Sequence, residues 1–472
     1  MYSKNNIVFV QEEIEDKLGP MLLTAYLKSR GFNAEILVNP EKNLNKLNKM
    51  QPTFIGMCLL SPSADSILAT CRLLKRELPA SMTILGGPHP TFFPSVVEQD
   101  GVDVVCVGEG EKPLLQLLKQ YDGTVESIQN ISNLWVKKGT EIVKNSVSEF
   151  LSEQELSELP NCDRSHYYEH SSLRSNPHKK IWSSRGCPYN CSYCFNHAYK
   201  EIYRGQGRVF RQRSVDSVIE EIRYISQYGW KCLEIVDDQF LMDPEWVLEF
   251  CEKYEREFKL PFACHSSTRQ IKPEIVPQLK KAGCSVVSFA IECGLEDTRT
   301  LVFNKPITNQ EIHRAAELLY KNKLPFLTFN MVGLPDETIE DIYKTVELNQ
   351  EIHTTYPWCS ILQPYPGTQI AQYMKERGFI DDTRKINYSY FQSSICKDHV
   401  KQNMFFNAQK IFAHAVKTKM TLSSFKKFVL KPPFFLNRLY PFVFYWHYGK
   451  DIRTRYGLSW WALFRYWLYS RE

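Results

Sequence analysis

Short apolar runs alternate with amphipathic stretches between residues 5 and 125. The run Ile7–Val10 is typical of a buried strand, and Leu18–Arg30 has the apolar spacing of a helix that ends before Gly31. Further strands are predicted at Ala34–Val38, Thr53–Leu59, Thr83–Leu85 and Val102–Val107, with another helix at Ala64–Glu77. This order predicts an α/β fold in which a doubly wound, Rossmann-like parallel sheet comes first.

A second alternation of strands and helices begins at Ile181 and lasts to about Met374. Its six predicted strands are Ile181–Ser184, Cys232–Val236, Phe262–Ser267, Val286–Ile291, Phe326–Met331 and Cys359–Leu362. The helices predicted between them include Val215–Gln227, Pro244–Tyr254, Pro273–Lys281, Ile312–Lys321 and Ile339–Glu351. Six strands with right-handed helical returns favour an open, partial (β/α)6 barrel over a closed eightfold one.

Between and after these two regions the pattern weakens. Asn133–Val136 and Glu141–Lys144 predict a hairpin around Lys138-Gly139, and Ser152–Pro160 is typical of a linker. We therefore expect an amino-terminal domain (residues 1–130), a hairpin and linker (131–175), the partial barrel (176–385) and a helical carboxy-terminal extension (386–472).

The composition is that of an ordinary globular protein, since 43% of the 472 residues are hydrophobic and 24% are charged. The formal net charge of +5 is small for this length, so it does not by itself indicate nucleic acid or a membrane as partner. No apolar run reaches the roughly 18 residues that a spanning helix needs, so we expect none.

Of the 14 cysteines, three are tightly grouped and the others are scattered singly. Residues 1–6 lead directly into the first apolar run, so we expect no signal peptide. Single, scattered thiols without a signal peptide are typical of a reducing compartment. We therefore expect a cytoplasmic protein without a disulfide framework.

The grouped cysteines are Cys187, Cys191 and Cys194, which follow a predicted strand in the stretch Ser184-Arg-Gly-Cys-Pro-Tyr-Asn-Cys-Ser-Tyr-Cys. Glycine and proline in such a short loop let several sulfurs converge on one centre, as an iron–sulfur cluster requires. Three ligands on a four-iron cluster leave one iron free for a small molecule. The same cysteines together with His197 are also compatible with zinc, and a chance grouping of buried thiols is the third interpretation.

The spacing C-x3-C-x2-C at the first strand of a partial barrel resembles the radical S-adenosylmethionine superfamily. Three strand ends extend this resemblance over roughly residues 180–375. They resemble the segments that meet the methionine amino group, the ribose hydroxyls and the adenine, and they read, in that order, Ile235-Val-Asp237-Asp238, Phe289-Ala-Ile-Glu292 and Asn330-Met-Val-Gly333.

The resemblance implies a 4Fe–4S cluster on the three cysteines that cleaves S-adenosylmethionine to a 5′-deoxyadenosyl radical, with an electron from a donor such as flavodoxin or ferredoxin. It also implies cofactor-binding roles for Asp237, Asp238, Glu292 and Gly333. Carboxylates at strand ends can accept hydrogen bonds from ammonium and hydroxyl groups, and glycine lets the backbone approach a ligand closely. The alternatives are a helix cap before Pro244 for the aspartates and a surface charge for Glu292.

Two glycine turns follow predicted strands of the amino-terminal domain, Gly86-Gly87-Pro-His and Gly108-Glu109-Gly110-Glu111. Ligands of open α/β sheets bind at such strand ends. Before a cysteine-triplet barrel, these turns resemble the cobalamin-binding domains of cobalamin-dependent radical enzymes, with Cys58 at the hydroxyl position of their S-x-L signature. The resemblance implies cobalamin bound near Cys58, Gly86, Gly87, Gly108, Glu109 and Gly110. A degenerate nucleotide-binding domain or a purely structural one is the alternative.

One motif of those cobalamin proteins is missing. Base-off, His-on proteins carry D-x-H-x-x-G after the first strand, but counting back from Gly19 places Ile14 and Asp16 at the Asp and His positions. No histidine is available there as a cobalt ligand. We therefore expect base-off cobalamin without a protein histidine ligand.

Together the resemblances imply an enzyme that methylates an unactivated carbon of a small-molecule or lipid substrate. A cobalamin-linked radical cyclisation, oxidation or rearrangement, as in the magnesium-protoporphyrin cyclase-like branch, is the alternative. A non-catalytic zinc or cofactor-binding module is the third hypothesis. We expect no nucleic-acid partner, because the net charge is mild.

Residues 425–472 are rich in Phe, Tyr and Trp, and only Asp451 and Glu472 oppose their many cations. The basic residues are Lys426, Lys427, Lys431, Arg438, Lys450, Arg453, Arg455, Arg465 and Arg471. Such a tail is compatible with peripheral membrane contact or with a cover over an apolar substrate. A helical cap on the barrel, packed by its aromatics, is the plainer interpretation.

Overall fold

The structure is a computed structural model that describes residues 5–380, 396–432, 439–455 and 459. The described chain forms an amino-terminal α/β domain, a six-stranded parallel sheet with helices on its outer face, and three carboxy-terminal helices. The predicted start of the extension at Ile386, and the tail residues Arg438, Arg465, Arg471 and Glu472, lie outside the described residues.

The amino-terminal sheet has seven strands, with β1 between β2 and β3 and with β4, β5, β6 and β7 following in order. Its strands are β1 (Asn6–Gln11), β2 (Asn33–Val38), β3 (Phe54–Cys58), β4 (Met82–Gly86), β5 (Val104–Cys106), β6 (Leu134–Lys138) and β7 (Glu141–Lys144). Its helices are α1 (Leu18–Ser29), α2 (Leu44–Met50), α3 (Ala64–Glu77), α4 (Pro88–Phe92) and α5 (Glu111–Gln120). The first five strands pair in parallel, which confirms the doubly wound, Rossmann-like fold. The strand order reverses beside β1, where ligands of such sheets bind.

The predicted hairpin is β6–β7, and it extends the first sheet. Its first strand pairs antiparallel with β5, with Val136 opposite Val104. Leu134 and Val136 are fully buried in the same apolar cluster as Val104. Because its inward side chains complete this core, the hairpin belongs physically to the amino-terminal domain.

The second sheet has six parallel strands in the order β15-β14-β13-β12-β11-β8, and helices cover its outer face. Its strands are β8 (His178–Ile181), β11 (Cys232–Ile235), β12 (Phe262–His265), β13 (Cys284–Glu292), β14 (Phe326–Val332) and β15 (Tyr356–Ile361), and a ribbon of β9 (Ser184–Arg185) and β10 (Arg211–Gln212) accompanies it. The helices are α6 (Glu153–Ser157), α7 (Ser171–Ser175), α8 (Phe195–Ile202), α9 (Val215–Ser226), α10 (Pro244–Glu257), α11 (Val276–Lys281), α12 (Asn309–Lys321), α13 (Ile339–Glu351) and α14 (Gln369–Glu376). Among the described strands, β15 and β8 are not paired, as expected for a partial barrel.

Two predicted elements of this region were wrong in detail. The first barrel strand is β8, which ends where the predicted strand begins, and Ser184–Arg185 pairs with Arg211–Gln212 instead. The strand was hidden because its residues are polar: His178 meets Glu234 inside the sheet, and the Lys179 ammonium donates to the Leu173 carbonyl. The predicted linker 152–160 contains α6, which begins with a capping box between Ser152 and Glu155.

The carboxy-terminal part that is described is helical. It comprises α15 (His399–Lys417), α16 (Leu422–Leu430) and α17 (Tyr440–Arg455). Phe405 and Phe412 of α15 are fully buried in one apolar cluster with Ile342 of α13 and Ile361 of β15. These helices therefore cap the β15 side of the sheet. Within the described residues, no helix combines the length and apolar character needed to cross a membrane.

Candidate functional site

Two adjoining cavities lie at the carboxyl ends of the strands. The interdomain cavity, of about 490 Å³, lies between the ends of β3, β4 and β5 and the segments around β9 and α8. The barrel cavity, of about 340 Å³, lies at the mouth of the six-stranded sheet. Asn196, Val236, Asp237 and Asp238 line both, so the two cavities share one wall.

The interdomain cavity brings together every residue predicted to contact cobalamin. These are Cys58, Gly86, Gly87, Gly108, Glu109 and Gly110. At Gly86 an added Cβ would have no protein atom within 4 Å, so the missing side chain leaves space inside the cavity. Gly87 has a φ of +96°, and a Cβ there would lie 2.8 Å from Cys58 Sγ. The segments after β3 and β4 are therefore packed closely against each other at Gly87, whereas Gly86 faces open space.

Gly108 also shapes the contact between the two domains. Its φ is +80°, and a Cβ there would come within 1.8 Å of the Tyr203 hydroxyl. That hydroxyl oxygen accepts the Glu109 backbone N–H at 3.0 Å and the Asn133 side-chain amide at 3.1 Å. Tyr203 follows α8 directly, so the glycine turn admits a side chain from the barrel region.

The Glu109 carboxylate is held by protein groups. It lies 3.1 Å from Arg185 Nη1 and 2.9 Å from Arg211 Nη2, and it accepts the Leu151 N–H at 3.0 Å. Burial alone would raise the pKa of Glu109, but Arg185 and Arg211 outweigh it and hold that pKa below its usual value. Arg185 also pairs with the buried Glu111 at 2.5 Å. The carboxylate of Glu109, which was predicted to bind the cofactor, therefore joins the two domains through its ion pairs.

The three clustered cysteines all line the barrel cavity, on the loop between β9 and α8. Burial raises the pKa of Cys187 to about 11 and that of Cys194 to about 12, and it also raises the pKa of Cys191. These thiols are protonated at neutral pH, so a metal centre bound here would displace their protons. In the part of the chain that is described, no three His, Cys, Asp or Glu side chains are gathered tightly enough to hold a single metal ion. His197, the fourth ligand of the zinc interpretation, has its Nδ1 at 3.2 Å from the Cys191 carbonyl oxygen.

The two adjacent aspartates have different surroundings. Asp237 is 3% exposed, and its carboxylate accepts the Ser183 backbone N–H at 2.6 Å and the Ser183 hydroxyl. Asp238 is exposed at the shared wall, where it accepts the Asn196 side-chain amide at 3.0 Å. The residue that caps α10 is Asp243, so neither aspartate has the capping role considered above. Of the pair, Asp238 has the carboxylate that is open to a ligand.

Glu292 is buried, and it is not a surface charge. It is 4% exposed, and its carboxylate accepts the Tyr193 hydroxyl at 2.5 Å and the Lys305 ammonium at 2.7 Å. Tyr193 and Lys305 are among the described residues that line the barrel cavity, whereas Glu292 is not. Glu292 therefore lies behind the wall and orients two side chains that form it.

Gly333 follows β14 directly and has a φ of +111°, and it is not among the described residues that line either cavity. Its N–H donates to the Glu337 carboxylate at 2.7 Å, and the Leu334 N–H donates to the same oxygen at 3.1 Å. Glu337 is 8% exposed, and burial raises its pKa to about 7 despite these hydrogen bonds. The turn at Gly333 thus donates its N–H groups to the buried carboxyl group of Glu337, a residue that the sequence did not single out.

A polar cluster inside the barrel was also missed. Glu234 lies between His178, at 3.1 Å, and His265, at 3.4 Å, and His265 lines the barrel cavity. Burial acts to raise the pKa of Glu234, but hydrogen bonds from the two histidines hold it well below its usual value. The signal in the sequence was a polar residue at the inward-facing position of each of three neighbouring strands.

The position that a cobalt-ligating histidine would take is occupied by Asp16. This side chain is buried, and it accepts the Tyr167 hydroxyl at 2.5 Å, with Arg164 Nη1 at 3.9 Å. The described residues that line the interdomain cavity include no histidine.

The chemistry of the two cavities fits the expected groups. The barrel cavity has three thiols, the open carboxylate of Asp238, and the buried hydroxyls of Ser266 and Ser288, which have no protein hydrogen-bond partner. Buried polar atoms of this kind require a partner, and a bound ligand would supply one. The interdomain cavity has an apolar lining with Phe9, Leu22 and Leu114, beside the space left at Gly86.

Comparison with known families agrees with this division of the chain. Residues 183–348 match the Radical SAM superfamily, and residues 7–118 match the B12 binding domain. The first range contains the cysteine loop, Asp238 and Glu292, and the second contains the glycine turns. The cysteine loop therefore lies in a region similar to radical S-adenosylmethionine proteins, which favours the cluster over zinc.

Individual relatives are distant. An uncharacterized methyltransferase of Pyrococcus horikoshii is 25% identical over 332 residues, covering 69% of this chain and 70% of that protein. An anaerobic magnesium-protoporphyrin IX monomethyl ester cyclase of Cereibacter sphaeroides is 25% identical over 366 residues, and the match spans 74% of this chain but only 58% of the cyclase.

Two solved structures share the fold. The cobalamin-dependent S-adenosylmethionine radical enzyme OxsB, with aqua-cobalamin and S-adenosylmethionine bound, has a TM-score of 0.68 at 16% identity, over 94% of this chain and 71% of that one. The radical S-adenosylmethionine methyltransferase TsrM from Kitasatospora setae has a TM-score of 0.65 at 18% identity, over 79% of this chain and 76% of that one.

Proposed function

Because this chain belongs to the radical S-adenosylmethionine superfamily and carries an amino-terminal B12-binding domain, we propose that it is a cobalamin-dependent radical C-methyltransferase. Its substrate is a small molecule or a lipid with an unactivated carbon. The observation that supports the proposal is the wall of Asn196 and Asp238, which is shared by the cavity lined by the three cysteines and the cavity lined by the glycine turns.

The bound groups would supply the difficult chemistry. The 4Fe–4S cluster with S-adenosylmethionine would supply a hydrogen-abstracting radical, and cobalamin would supply a methyl group. Cys187, Cys191 and Cys194 would hold the cluster as thiolates. Asp238 accepts hydrogen bonds from the methionine ammonium, while Ser266 and Ser288 offer hydroxyls to the rest of that ligand. Lys305 and Tyr193 border the same cavity in orientations fixed by Glu292.

On the other side of the wall, the ends of β3 and β4 at Cys58 and Gly86 would hold the corrin, and the turn at Gly108 packs against Tyr203 of the barrel region. Asp16, at the position of the missing histidine, is engaged by the Tyr167 hydroxyl and would not serve as a cobalt ligand. We therefore propose base-off cobalamin without a histidine ligand. The apolar lining of the interdomain cavity would keep water away from the corrin and from the substrate.

The reducing electron comes from a one-electron donor protein of the flavodoxin or ferredoxin kind, and the scattered single thiols support a reducing compartment. A radical cyclase is the second candidate function. It is supported by the 25% identity to the magnesium-protoporphyrin cyclase of Cereibacter sphaeroides. Methyl transfer is favoured because the Pyrococcus horikoshii relative, with comparable identity, is a methyltransferase matched over a larger share of its length.

Anaerobic reconstitution with iron, sulfide and cobalamin tests both cofactor sites. The wild-type protein should contain about four irons and one cobalamin per chain. A Cys187/Cys191/Cys194→Ala variant should lose the iron and the cluster absorption but keep cobalamin. A Cys251/Cys284→Ala variant, altered in the core and away from both cavities, is the matched control and should keep both.

Gly86→Leu separates the second site from the first. Its side chain enters the open space of the interdomain cavity, so the variant should lose cobalamin and keep the iron. Retention of cobalamin by this variant would count against the assigned site. The reaction class is read from holoenzyme given a reductant, methyl-labelled S-adenosylmethionine and a metabolite and lipid extract. 5′-Deoxyadenosine without label in any product would eliminate methyl transfer and leave the cyclase-type reaction.

A further inference from the structure

The last described helix, α17, packs on the protein through only one of its faces. Phe444 is 8% exposed, and its ring lies 6.5 Å from that of Trp358 on β15. The ring of Tyr448, one turn further, lies 5.1 Å from that of Trp358. On the same side Asp451 pairs with Lys417 of α15 at 2.5 Å. The inner face of α17 therefore packs on β15 and α15.

The outer face of α17 exposes large apolar side chains. Phe442 is 67% exposed, Tyr445 53% and Trp446 51%, and Leu439, just before the helix, is 48% exposed. Residues three, four and seven apart lie on the same side of a helix, so these four form a single aromatic stripe. Single exposed apolar residues are ordinary on protein surfaces, but a contiguous row of four marks an interaction surface.

The sequence that carries the aromatic stripe is basic, and among its lysines Lys417 pairs with Asp451 and Lys426 pairs with Glu340. From Val400 to Lys450 the sequence contains nine Lys and Arg residues and no Asp or Glu. Lys450 continues the aromatic stripe four residues after Trp446 and is exposed. Lys427 and Lys431, near the end of α16, are exposed as well, and the Tyr440 hydroxyl donates to the Phe428 carbonyl, which holds the two helices together.

We propose that this surface docks on an anionic membrane, with α17 lying in the plane of the interface. The aromatic stripe enters the boundary between headgroups and acyl chains, and the lysines meet the anionic headgroups. A second copy of the chain would bury the same apolar residues, but two like-charged surfaces repel each other. Lipid phosphates complement the charge, so a lipid surface is the occupant that fits. The inference does not depend on the reaction proposed above.

Sedimentation of the full-length protein with vesicles tests the docking. The protein should pellet with vesicles of phosphatidylcholine and phosphatidylglycerol, less with phosphatidylcholine alone, and less again as salt is raised. Leu439→Ser/Phe442→Ser should lower the partition coefficient by about tenfold, because two apolar side chains no longer leave water. Lys427→Glu/Lys450→Glu should lower it by a factor on the order of ten on the anionic vesicles only.

Leu301→Ser/Tyr320→Ser is the matched control. It removes two apolar side chains that are 80% and 64% exposed elsewhere on the surface, and it should bind as wild type does. Unchanged thermal unfolding and iron content show that each variant is folded. Wild-type protein that stays in the supernatant with anionic vesicles, or a stripe variant that pellets like wild type, overturns the proposal. So does light scattering that shows a vesicle-free dimer for wild type and a monomer for Leu439→Ser/Phe442→Ser.

Discussion

At the scale of single residues, the adjacent side chains of Asp237 and Asp238 differ in burial and in the groups they contact. Asp237 is buried against Ser183, whereas Asp238 is exposed at the shared wall. Asp238→Asn should leave the free energy of unfolding within about 0.5 kcal/mol of wild type, since surface changes are usually mild. It should weaken S-adenosylmethionine binding by about tenfold, because a neutral amide loses its charge-assisted bond to the ammonium.

Asp237→Asn should show the opposite pattern. The amide oxygen can still accept the Ser183 N–H, but the amide NH2 group cannot accept the Ser183 hydroxyl, so the free energy of unfolding should fall by about 1–3 kcal/mol. Urea denaturation and equilibrium dialysis with S-adenosylmethionine measure the two effects separately. If Asp238→Asn were the less stable variant, the assignment of the two roles would be reversed.

Glu337 predicts a particular dependence of stability on pH. Burial raises its pKa from the ordinary 4.5 to about 7, although hydrogen bonds from the Gly333 and Leu334 N–H groups lower it. Asp341 adds a smaller increase to this pKa, and Lys401 a smaller decrease. The native state therefore keeps a proton that the unfolded state releases at lower pH. Stability from this group is full below about pH 4.5 and is lost as pH rises towards 7, by about 3 kcal/mol in all.

Glu337→Gln removes that titration and still offers an oxygen to the two N–H groups. The free energy of unfolding of wild type relative to this variant should fall between pH 5 and 7.5. The comparison cancels the other titrating groups. A constant difference across this range would show that Glu337 keeps an ordinary pKa.

The sequence predicted correctly that Asp238 and the three cysteines lie at a cavity, because they follow strand ends; their roles toward a cofactor stay predictions. The carboxylates of Glu109 and Glu292 were assigned to cofactors from their positions. The sequence could not reveal their cationic partners, Arg185 and Lys305, because those contacts arise only when distant segments pack.

At the scale of elements, α8 and the turn after β5 are fitted to each other. The Tyr203 hydroxyl at the end of α8 occupies the space that a Cβ on Gly108 would need, and it accepts two hydrogen bonds. Tyr203→Phe should lower the free energy of unfolding by about 1–3 kcal/mol, because the Glu109 N–H and the Asn133 amide lose a buried acceptor.

Gly108→Ala should be at least as costly, because alanine is strained at a φ of +80° and would collide with the Tyr203 ring. Thermal unfolding checks both variants, with Tyr320→Phe as the control, since that ring is 64% exposed. Equal melting temperatures for Tyr203→Phe and Tyr320→Phe would contradict the proposed fit.

Elements with a clean apolar period were predictable almost to the residue, as α3 (Ala64–Glu77) and α13 (Ile339–Glu351) show. β8 was misplaced because its inward-facing positions carry His178 and Lys180, whose environment is polar. Hydrophobic periodicity cannot detect a strand whose interior side is polar. The pairing of the hairpin with β5 was equally invisible, because antiparallel addition at a sheet edge is decided by tertiary contacts.

At the scale of the whole molecule, Arg185 connects the two domains. Its guanidinium pairs with Glu109, in the turn that follows β5, and with Glu111, the first residue of α5. Arg185→Leu leaves these carboxylates buried without their shared cation, so stability should fall by about 3–5 kcal/mol and proteolysis between the domains should accelerate. Arg223→Leu, which breaks an exposed pair with Glu257, should cost about 1 kcal/mol or less.

Acid should weaken the same junction. The pKa of Glu109 is held below its usual value, so its pairing contributes fully above the pKa of the unfolded carboxyl group and is lost as pH falls through the folded one. Limited proteolysis of wild type at decreasing pH, compared with Arg185→Leu at neutral pH, should give the same fragments. Cleavage within the barrel instead would place the weak point elsewhere.

The location of the interdomain cavity also determines how the holoenzyme can lose its corrin. Gly86 and Trp182 both line it and come from different regions of the chain, and the ion pairs of Arg185 connect those regions. A corrin seated there is enclosed by two halves of the chain that are synthesised one after the other. Release of a seated corrin would then require these two halves to separate, so the ion pairs of Arg185 would slow its departure.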